Sequence, residues 1–361
     1  MKVLVTLDFP PEVGGIQQYL LGIVRHTFSE DDLVLVGCSR RVEGGPVESP
    51  APVRRFSTPF SRWNKKISCI PLFFYFVKTM LILKGPCEVS CGNVYAACVP
   101  WAASFFMKKL DYAVYTYGTE LLALKKASIK ARLLKKVFAK AGRIYALGQF
   151  TALQLREIGI AAKPLIVPPR IELVPEITGR ALMPERKADC AELDKISILS
   201  VGRLVRHKGH GILLEAVSLL PQGLPWTCVI VGNGPLRDAL LSDAAAKKID
   251  DRVSILSGLS DEALWDEYGK ASVFVLPSLV DNGAEGFGIV LLEAMSRWVP
   301  VIAAATGGVA EVLDNGACGV LVEPGNAPAL AGAILRLHGD PELRRRLSRA
   351  AYERVRISYA W

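Results

Sequence analysis

The most constraining feature of this 361-residue sequence is a regular alternation between short apolar runs and helical patterns. Several runs are continuous stretches of aliphatic and β-branched residues, which is typical of parallel strands covered on both faces. Helical periodicity lies between them, for example over 213–220 and 236–247. The alternation predicts doubly wound α/β domains. The predicted strands are residues 2–7, 33–37, 113–116, 143–147, 196–201, 227–231, 253–256, 273–276, 299–303 and 319–322.

The length of the chain predicts two domains, because one hydrophobic core rarely serves this many residues. Residues 175–194 are rich in charge, contain two prolines and lack a clear period, so we expect the linker there. The predicted organisation is a first Rossmann-like domain over 1–174 and a second over 195–361. Ligands of open α/β sheets bind beyond the carboxyl ends of the strands, so the two domains are expected to face a central cleft.

The charge of the chain is uneven. Residues 1–185 hold 25 Lys or Arg and 14 Asp or Glu, whereas residues 186–361 hold 19 and 21. A basic first half is compatible with anionic lipid, nucleic acid or a phosphorylated substrate. The eight cysteines form no C-x-x-C pair and several lie in apolar runs, which favours reduced thiols in a cytoplasmic protein. The four histidines form no zinc-like cluster, so we expect no metal site.

Two segments of the first half are candidates for membrane contact. IPLFFYFVKTMLILKG, residues 70–85, is too short and too interrupted to span a bilayer and predicts either a buried helix or an interfacial one. Residues 125–143 contain eight basic and no acidic residues, with Ile129, Leu133, Val137 and Ala141 at every fourth position. This spacing predicts a helix that packs its apolar face and leaves a basic back, or one that meets anionic lipid headgroups. No nucleic-acid module is recognisable.

A basic loop follows the predicted strand 196–201. It reads GRLVRHKGHG over 202–211 and leads into a helix. Amide groups at a helix start favour negative charge, and Arg203 and Lys208 add a guanidinium fork and a point charge. The loop therefore predicts an anion site, with a solvated basic loop as the alternative.

The stretch EGFGIVLLE, residues 285–293, holds a carboxylate at each end. Gly286 and Gly288 permit close backbone approach to a ligand, and a helix is expected to begin at Ile289. A carboxylate accepts hydrogen bonds from two hydroxyls at once, which suits the diols of a ribose or a hexose. Glu285 and Glu293 are therefore candidate sugar-binding residues.

These features together resemble the retaining glycosyltransferases of the GT-B fold, specifically glycosyltransferase family 4. The resemblance rests on Glu285 and Glu293, on Arg203 and Lys208 five residues apart, and on the double glycine of FPPEVGGIQQYL. It covers almost the whole chain. GGIQQYL together with EGFGIV is most similar to bacterial phosphatidylinositol mannosyltransferases that use GDP-mannose.

The resemblance implies a nucleotide diphosphate sugar as donor, transferred with same-face attack to a lipid-linked or glycan acceptor in cell-envelope synthesis. Arg203 and Lys208 would neutralise the diphosphate, Glu293 would hold the ribose, and Glu285 the donor sugar. Asp261 falls where some relatives contact the base. No D-x-D motif occurs, so no metal or other cofactor is required. The full donor-binding set is Gly14, Gly15, Arg203, Lys208, Asp261, Glu285, Phe287, Gly288, Ile289, Val290 and Glu293.

One departure from the family pattern concerns the stretch TYGTEL, where Tyr117 stands in place of a histidine. The candidate catalytic residues are therefore Glu285, Arg203, Lys208 and Tyr117, with Glu120 as a further candidate for acceptor handling. Tyr117 also keeps open a catalytically impaired GT-B partner subunit, and a nucleotide-sugar epimerase is a third interpretation. The expected location is the cytoplasm, with peripheral contact at the inner face of the membrane.

Overall fold

The computed structural model of the chain describes residues 1–12, 14–38, 47–62, 64–83, 85–122, 124–125, 128–173, 195–280 and 285–361. These residues form two compact units, Met1–Arg170 and Ile171–Trp361. Each unit is built on one parallel sheet with helices between the strands, as the alternation predicts. The predicted linker, 175–194, lies outside the described residues.

Unit 1 contains a seven-stranded parallel sheet in the order β3-β2-β1-β4-β5-β6-β7. Its strands are β1 Lys2–Thr6, β2 Leu33–Gly37, β3 Val53–Phe56, β4 Glu88–Cys91, β5 Tyr112–Thr116, β6 Arg143–Ala146 and β7 Leu165–Ile166. Its helices are α1 Gly15–Thr27, α2 Cys69–Ile82, α3 Cys98–Ala103, α4 Thr119–Leu122, α5 Ile129–Lys140 and α6 Gln149–Glu157.

Unit 2 contains a six-stranded parallel sheet in the order β10-β9-β8-β11-β12-β13. Its strands are β8 Ile196–Val201, β9 Trp226–Val231, β10 Val253–Leu256, β11 Val273–Leu276, β12 Val301–Ala304 and β13 Val320–Val322. Its helices are α7 His210–Ser218, α8 Arg237–Ala246, α9 Asp261–Lys270, α10 Ile289–Ser296, α11 Val309–Val312, α12 Ala327–Gly339 and α13 Pro341–Ser358.

The strand order of unit 2 determines where a ligand can bind. β8 lies between β9 and β11, and successive strands then run outward on both sides. The chain direction across the sheet therefore reverses between β8 and β11. In open α/β sheets such a reversal marks the ligand-binding crevice, at the carboxyl ends of the two strands. The basic loop and the EGFG stretch are the loops that follow these two strands.

The two candidate membrane helices differ from the predictions in an informative way. α2 buries Leu72, Phe76 and Met80 and exposes its opposite face, so it is not a fully buried helix, and its interfacial alternative stays a prediction. In α5 the alternative in which the apolar face packs inward fails at Ile129 and Leu133, which are exposed. The inward residues are Ala131, Leu134, Val137 and Phe138. Among the described residues, no helix has the length and apolarity needed to cross a bilayer.

Candidate functional site

The basic loop after β8 is fixed to the loop after β11 through its backbone. The His207 carbonyl accepts a hydrogen bond of 2.7 Å from the Leu279 amide. Gly209 adopts a left-handed conformation with φ +71°, and a Cβ there would lie 1.8 Å from the Pro277 carbonyl oxygen. Only glycine permits this approach. Lys208 lies between His207 and Gly209, so these contacts hold it against the loop that carries Glu285.

Lys208 and Glu285 form an ion pair at the crevice between β8 and β11. Lys208 Nζ donates to Glu285 Oε2 at 2.6 Å, and Ser278 Oγ donates to the same oxygen at 3.0 Å. The two charged side chains are only 16% and 12% exposed, so water screens their attraction poorly. Removing one partner would therefore leave a costly unpaired charge.

The environment of Glu285 keeps its carboxyl ionised. Burial, the largest influence, would raise its pKa, but the charge and hydrogen bond of Lys208 and the hydrogen bond of Ser278 together outweigh it. The net result is a pKa below the ordinary value. The site thus presents a carboxylate, an acceptor-only group suited to hydroxyl groups, beside an ammonium suited to phosphate.

The EGFG stretch is clamped by its neighbours and leads directly into α10. The Gly308 amide donates to the Glu285 carbonyl at 2.9 Å, and Phe287 packs edge-on against Tyr359 with ring centroids 5.5 Å apart. Gly288 caps α10 in a left-handed conformation with φ +86°. No side chain caps this helix start and no acidic residue lies in its first turn, so its amide groups remain suited to an anion.

The predicted backbone contacts belong to this helix start. Phe287 and Gly288 are buried, and Ile289 and Val290, the first residues of α10, are half-buried. The helix therefore begins where the sequence predicts. Their contact with a donor stays a prediction.

Glu293 lies one turn into α10 and is paired with a tyrosine rather than a cation. Tyr268 Oη donates to Glu293 Oε2 at 2.7 Å. Burial raises the pKa of Glu293, the Tyr268 hydrogen bond opposes this, and the nearby charge of Asp261 adds to the rise. Asp261 itself is exposed at the first position of α9. The structure thus brings these two predicted donor residues into the same electrostatic neighbourhood.

Arg203 lies on the basic loop with an exposed side chain. Its neighbour Leu204 is fully buried, and the Leu204 amide donates to the Asn233 carbonyl at 2.9 Å. The loop is thereby held to the segment that follows β9, while the Arg203 side chain is exposed to solvent. Among the described residues, none pairs with its guanidinium, which is therefore available to a ligand phosphate.

His210 is a buried neighbour of Lys208 that sequence reasoning did not select. Burial lowers its pKa to about 4 and the positive charge of Lys208 adds to the effect. The imidazole is therefore neutral near pH 7 and leaves Lys208 as the cation of this buried part of the loop. A histidine directly after the K-G pair of the basic loop was the available signal.

Gly14 and Gly15 lie at the start of α1 in unit 1. Gly14 is the residue before the helix, and Gly15 is its first residue. No side chain caps this start, and the first turn contains no acidic residue. The geometry is compatible with the predicted phosphate contact, which stays a prediction.

Tyr117 is turned into the interior of unit 1. Its hydroxyl donates to the Gly92 carbonyl at 2.5 Å, and its ring lies edge-on to Tyr19 with centroids 6.0 Å apart. Burial raises its pKa well above the ordinary value. The side chain is engaged by the fold, which does not favour a direct catalytic contact of the hydroxyl. The catalytic role predicted for Tyr117 is not otherwise tested.

Glu120 lies at the carboxyl edge of the first sheet, beside the turn that follows β5. Its Oε1 accepts a hydrogen bond of 2.8 Å from the Tyr117 amide. Burial raises its pKa to about 7, although backbone hydrogen bonds oppose the rise, and the charge of Asp8 adds to it. Asp8 in turn accepts a 2.5 Å hydrogen bond from Asn93, which follows β4. Glu120 is thus a carboxyl group with a pKa near neutrality at the expected ligand edge of unit 1.

Within the described residues, no group of three or more His, Cys, Asp or Glu side chains is arranged to hold a metal ion. The prediction that the reaction needs no metal or other cofactor is not tested by this finding.

The comparison with known families covers the second half of the chain. Residues 184–354 match the family model for glycosyl transferases group 1. The matched segment is slightly less than half of the chain. The Lys208–Glu285 pair and the start of α10 lie within the matched residues, and the match supports the predicted transferase enzyme.

Two curated relatives illustrate the similarity. An alpha-D-kanosaminyltransferase from Streptomyces kanamyceticus is 35% identical over 159 residues, which cover 44% of this chain and 40% of that protein. A GDP-mannose-dependent alpha-(1-6)-phosphatidylinositol monomannoside mannosyltransferase from Mycolicibacterium smegmatis is 26% identical over 363 residues. The second alignment covers 94% of this chain and 89% of the relative. The first alignment thus covers less than half of this chain, and the second almost the whole chain.

Solved structures show the same fold. HepE from Anabaena, crystallised with UDP-glucose, has a TM-score of 0.80 at 20% identity and covers all of this chain and 96% of its own. Sucrose-phosphate synthase from Thermosynechococcus elongatus has a TM-score of 0.80 at 20% identity, with coverage of 100% and 94%. The predicted GT-B fold, with two Rossmann-like parallel α/β domains, is confirmed.

Proposed function

We propose that the chain is a retaining glycosyltransferase of family 4 that moves a hexose from a nucleotide diphosphate sugar to a lipid-linked or glycan acceptor. The observation that carries the proposal is the largely buried Lys208–Glu285 ion pair at the carboxyl ends of β8 and β11. This pair offers a cation and a carboxylate side by side, where a diphosphate and its attached sugar would require them.

The chemistry of the pair is compatible with a bound donor. An ammonium has three donor hydrogens, so Lys208 can keep Glu285 and still bind a phosphate oxygen. Arg203 would supply a second cation as negative charge grows on the leaving diphosphate. Glu285 would accept hydrogen bonds from sugar hydroxyls, and Glu293 from the ribose diol. No divalent metal is part of this proposal.

Mannose from GDP-mannose is the favoured donor, and a lipid-linked acceptor at the inner face of the membrane is the favoured partner. The nearly full-length similarity to a GDP-mannose-dependent mannosyltransferase supports this choice. UDP-glucose remains the competing donor because HepE was crystallised with it. The donor is therefore the first quantity to measure.

The test is thermal unfolding of the purified chain with GDP, UDP and ADP, in the presence and absence of EDTA. A ligand that binds the folded state at 100 times its dissociation constant adds about 2.7 kcal/mol of stability. We expect GDP to give the largest shift, with or without EDTA. The shift should be lost in Arg203→Ala and retained in Lys270→Ala, whose exposed cation lies at the end of α9.

Two results would contradict parts of the proposal. A larger shift with UDP than with GDP would replace the donor but keep the site. No shift with any of the three nucleotides would overturn the site and favour the impaired partner subunit. The engaged hydroxyl of Tyr117 is the observation that keeps this second candidate, and turnover of labelled donor by the nucleotide-binding protein would exclude it.

A further inference from the structure

Three helical elements of unit 1 form one outer layer. α2 contacts α3, and α3 contacts α5. All three contribute to one hydrophobic core on the same side of the sheet. This follows from right-handed crossovers that run in one direction from β3 to β6. Their outward faces therefore belong to one continuous surface of unit 1.

The outward face of α2 is apolar where solvent would favour polar residues. Ile70, Phe74 and Leu81 are exposed, and they lie on one stripe of the helix opposite the buried Leu72 and Phe76. An apolar helix is thus buried on one side only. Single exposed apolar residues are ordinary, but a stripe of them marks an interaction surface.

The neighbouring elements continue the apolar stripe. Ile129 and Leu133 project from the exposed face of α5 and are 86% and 42% exposed. Phe105 and Phe106, directly after α3, are 61% and 83% exposed. Phe105 is linked to α5, because Lys140 Nζ lies 4.9 Å from its ring centroid. The exposed aromatics after α3 and the outer face of α5 are therefore adjacent.

Cations are interspersed with these apolar side chains. Lys136 and Lys140 are exposed on α5, Lys78 is exposed on α2, and Lys108 and Lys109 follow the exposed phenylalanines. Across residues 49–150 the sequence holds 17 Lys or Arg and three Asp or Glu. We call the outward faces of α2 and α5, together with residues 105–109, the basic-apolar surface.

We propose that the basic-apolar surface docks unit 1 on an anionic lipid bilayer. Apolar side chains that enter the headgroup boundary, surrounded by lysines that meet anionic headgroups, are the two features such docking requires. α2 has 14 residues, a length of about 21 Å at about 1.5 Å per residue, so it lies in the interface and does not span it. The inference concerns unit 1 and does not depend on the proposed transfer reaction.

Charge and composition distinguish lipid from the other occupants. A second copy of the chain would place two strongly basic surfaces against each other, which like-charge repulsion opposes. Nucleic acid would match the charge, but its interfaces are polar and would leave the exposed aliphatic stripe of α2 uncovered. A bilayer with anionic headgroups matches both the lysines and the apolar stripe.

The test is co-sedimentation with vesicles of phosphatidylcholine, with and without phosphatidylglycerol, in the absence of nucleotide. We expect binding only to the anionic vesicles and weaker binding as salt is raised. The double variant Lys136→Gln, Lys140→Gln should weaken the vesicle affinity about 25-fold, because each lysine contributes about fivefold. The matched control is Arg346→Gln with Arg349→Gln, two exposed cations on α13 of unit 2, which should leave the affinity unchanged.

The apolar contribution is tested at the end of α3. Phe106→Ser should weaken vesicle binding about tenfold or more, because a phenyl ring no longer leaves water. Phe106→Trp should retain binding, and Ile357→Ser, at an exposed apolar position of unit 2, is the control. Each variant replaces an exposed side chain, so unchanged thermal unfolding and nucleotide binding are expected.

Three outcomes would overturn the inference. The first is equal binding to neutral and anionic vesicles, or no binding to either. The second is unchanged binding in the lysine and Phe106 variants. The third is that the protein binds no vesicles but dimerises in a concentration-dependent way, and that Phe106→Ser abolishes the dimer. This outcome would assign the surface to a second copy of the chain. Loss of nucleotide binding with vesicle binding intact would instead contradict only the proposed function.

Discussion

The Lys208–Glu285 pair allows one prediction to be worked from the structure in detail. Lys208→Met removes the ammonium and keeps most of the side-chain volume. It leaves a carboxylate that is 12% exposed and is still stabilised by the Ser278 hydrogen bond and the nearby His207. Breaking a buried pair in this way costs about 3–5 kcal/mol. Because some exposure and the serine remain, we expect about 3 kcal/mol at pH 7.

The second and third variants complete a double-mutant cycle. Glu285→Gln leaves an ammonium on a flexible stem, which can reach water, so its cost should be about 1–2 kcal/mol. The double variant carries neither charge and should be more stable than Lys208→Met alone. A coupling energy of about 2–3 kcal/mol is therefore expected.

The pH dependence gives an independent check. In the wild type the lowered pKa of Glu285 contributes stability above the unfolded value of 4.5, and this is lost as pH falls through the folded pKa. In Lys208→Met the remaining burial should raise that pKa above 4.5. Protonation then relieves the buried charge, so the cost of the substitution should shrink between pH 7 and pH 5.

The assay is hydrogen exchange in graded urea, read from peptides of 195–280 and 285–361 so that unit 2 is measured by itself. Additive single costs at pH 7 would refute the coupling. A cost of Lys208→Met that is independent of pH would refute the assignment of the destabilisation to an unpaired carboxylate.

Two further predictions concern the loops around the sites. Gly209→Ala should destabilise unit 2 by about 3 kcal/mol or more in thermal unfolding, because its Cβ would meet the Pro277 carbonyl oxygen at 1.8 Å in a left-handed conformation. Gly211→Ala is the control, because a Cβ at Gly211 would meet no atom within 4 Å, and it should leave unit 2 equally stable or more stable. An equal loss of stability in both variants would contradict the proposed clash between Gly209 and Pro277. Because burial raises the pKa of Glu120 to about 7, the free energy of unfolding of the wild type should fall by up to about 3 kcal/mol as pH rises from 4.5 to 7. Glu120→Gln should lack this fall in urea unfolding, and a retained slope would show that another group titrates.

The strands whose bounds the sequence predicts correctly are mostly apolar runs. β2, β8, β10 and β11 have the predicted bounds, because most of their residues are apolar, and all but the edge strand β10 are buried along nearly their whole length. The missed strands lack that pattern. β3 exposes two arginines, β4 is the four-residue EVSC with only Val89 and Cys91 buried, and β7 has two exposed residues. Their pairing comes from the neighbouring strand rather than from their own hydrophobicity, so no local pattern could reveal them.

The site was predictable as motifs but not as contacts. The sequence places Arg203, Lys208, Glu285 and Glu293 after strands or at a helix start, and the described elements agree. The contact between Lys208 and Glu285 joins residues 77 positions apart. This contact exists because β8 and β11 are adjacent in the sheet, and the spacing of the motifs along the sequence does not predict that adjacency. Tyr268, the partner of Glu293, had no local signal because its role depends on how α9 packs beside α10.

The incorrect orientation of α5 has a physical cause that also supports the membrane inference. A residue at every fourth position advances 400°, so a strict period of four drifts 40° around the helix at each step. Val137 therefore reaches the core, whereas Ile129 and Leu133 turn toward solvent. The core requirement of α5 is met by Ala131, Leu134, Val137 and Phe138. Because packing is already satisfied, the two outward apolar residues need another explanation, and a lipid surface gives one that the surrounding lysines share.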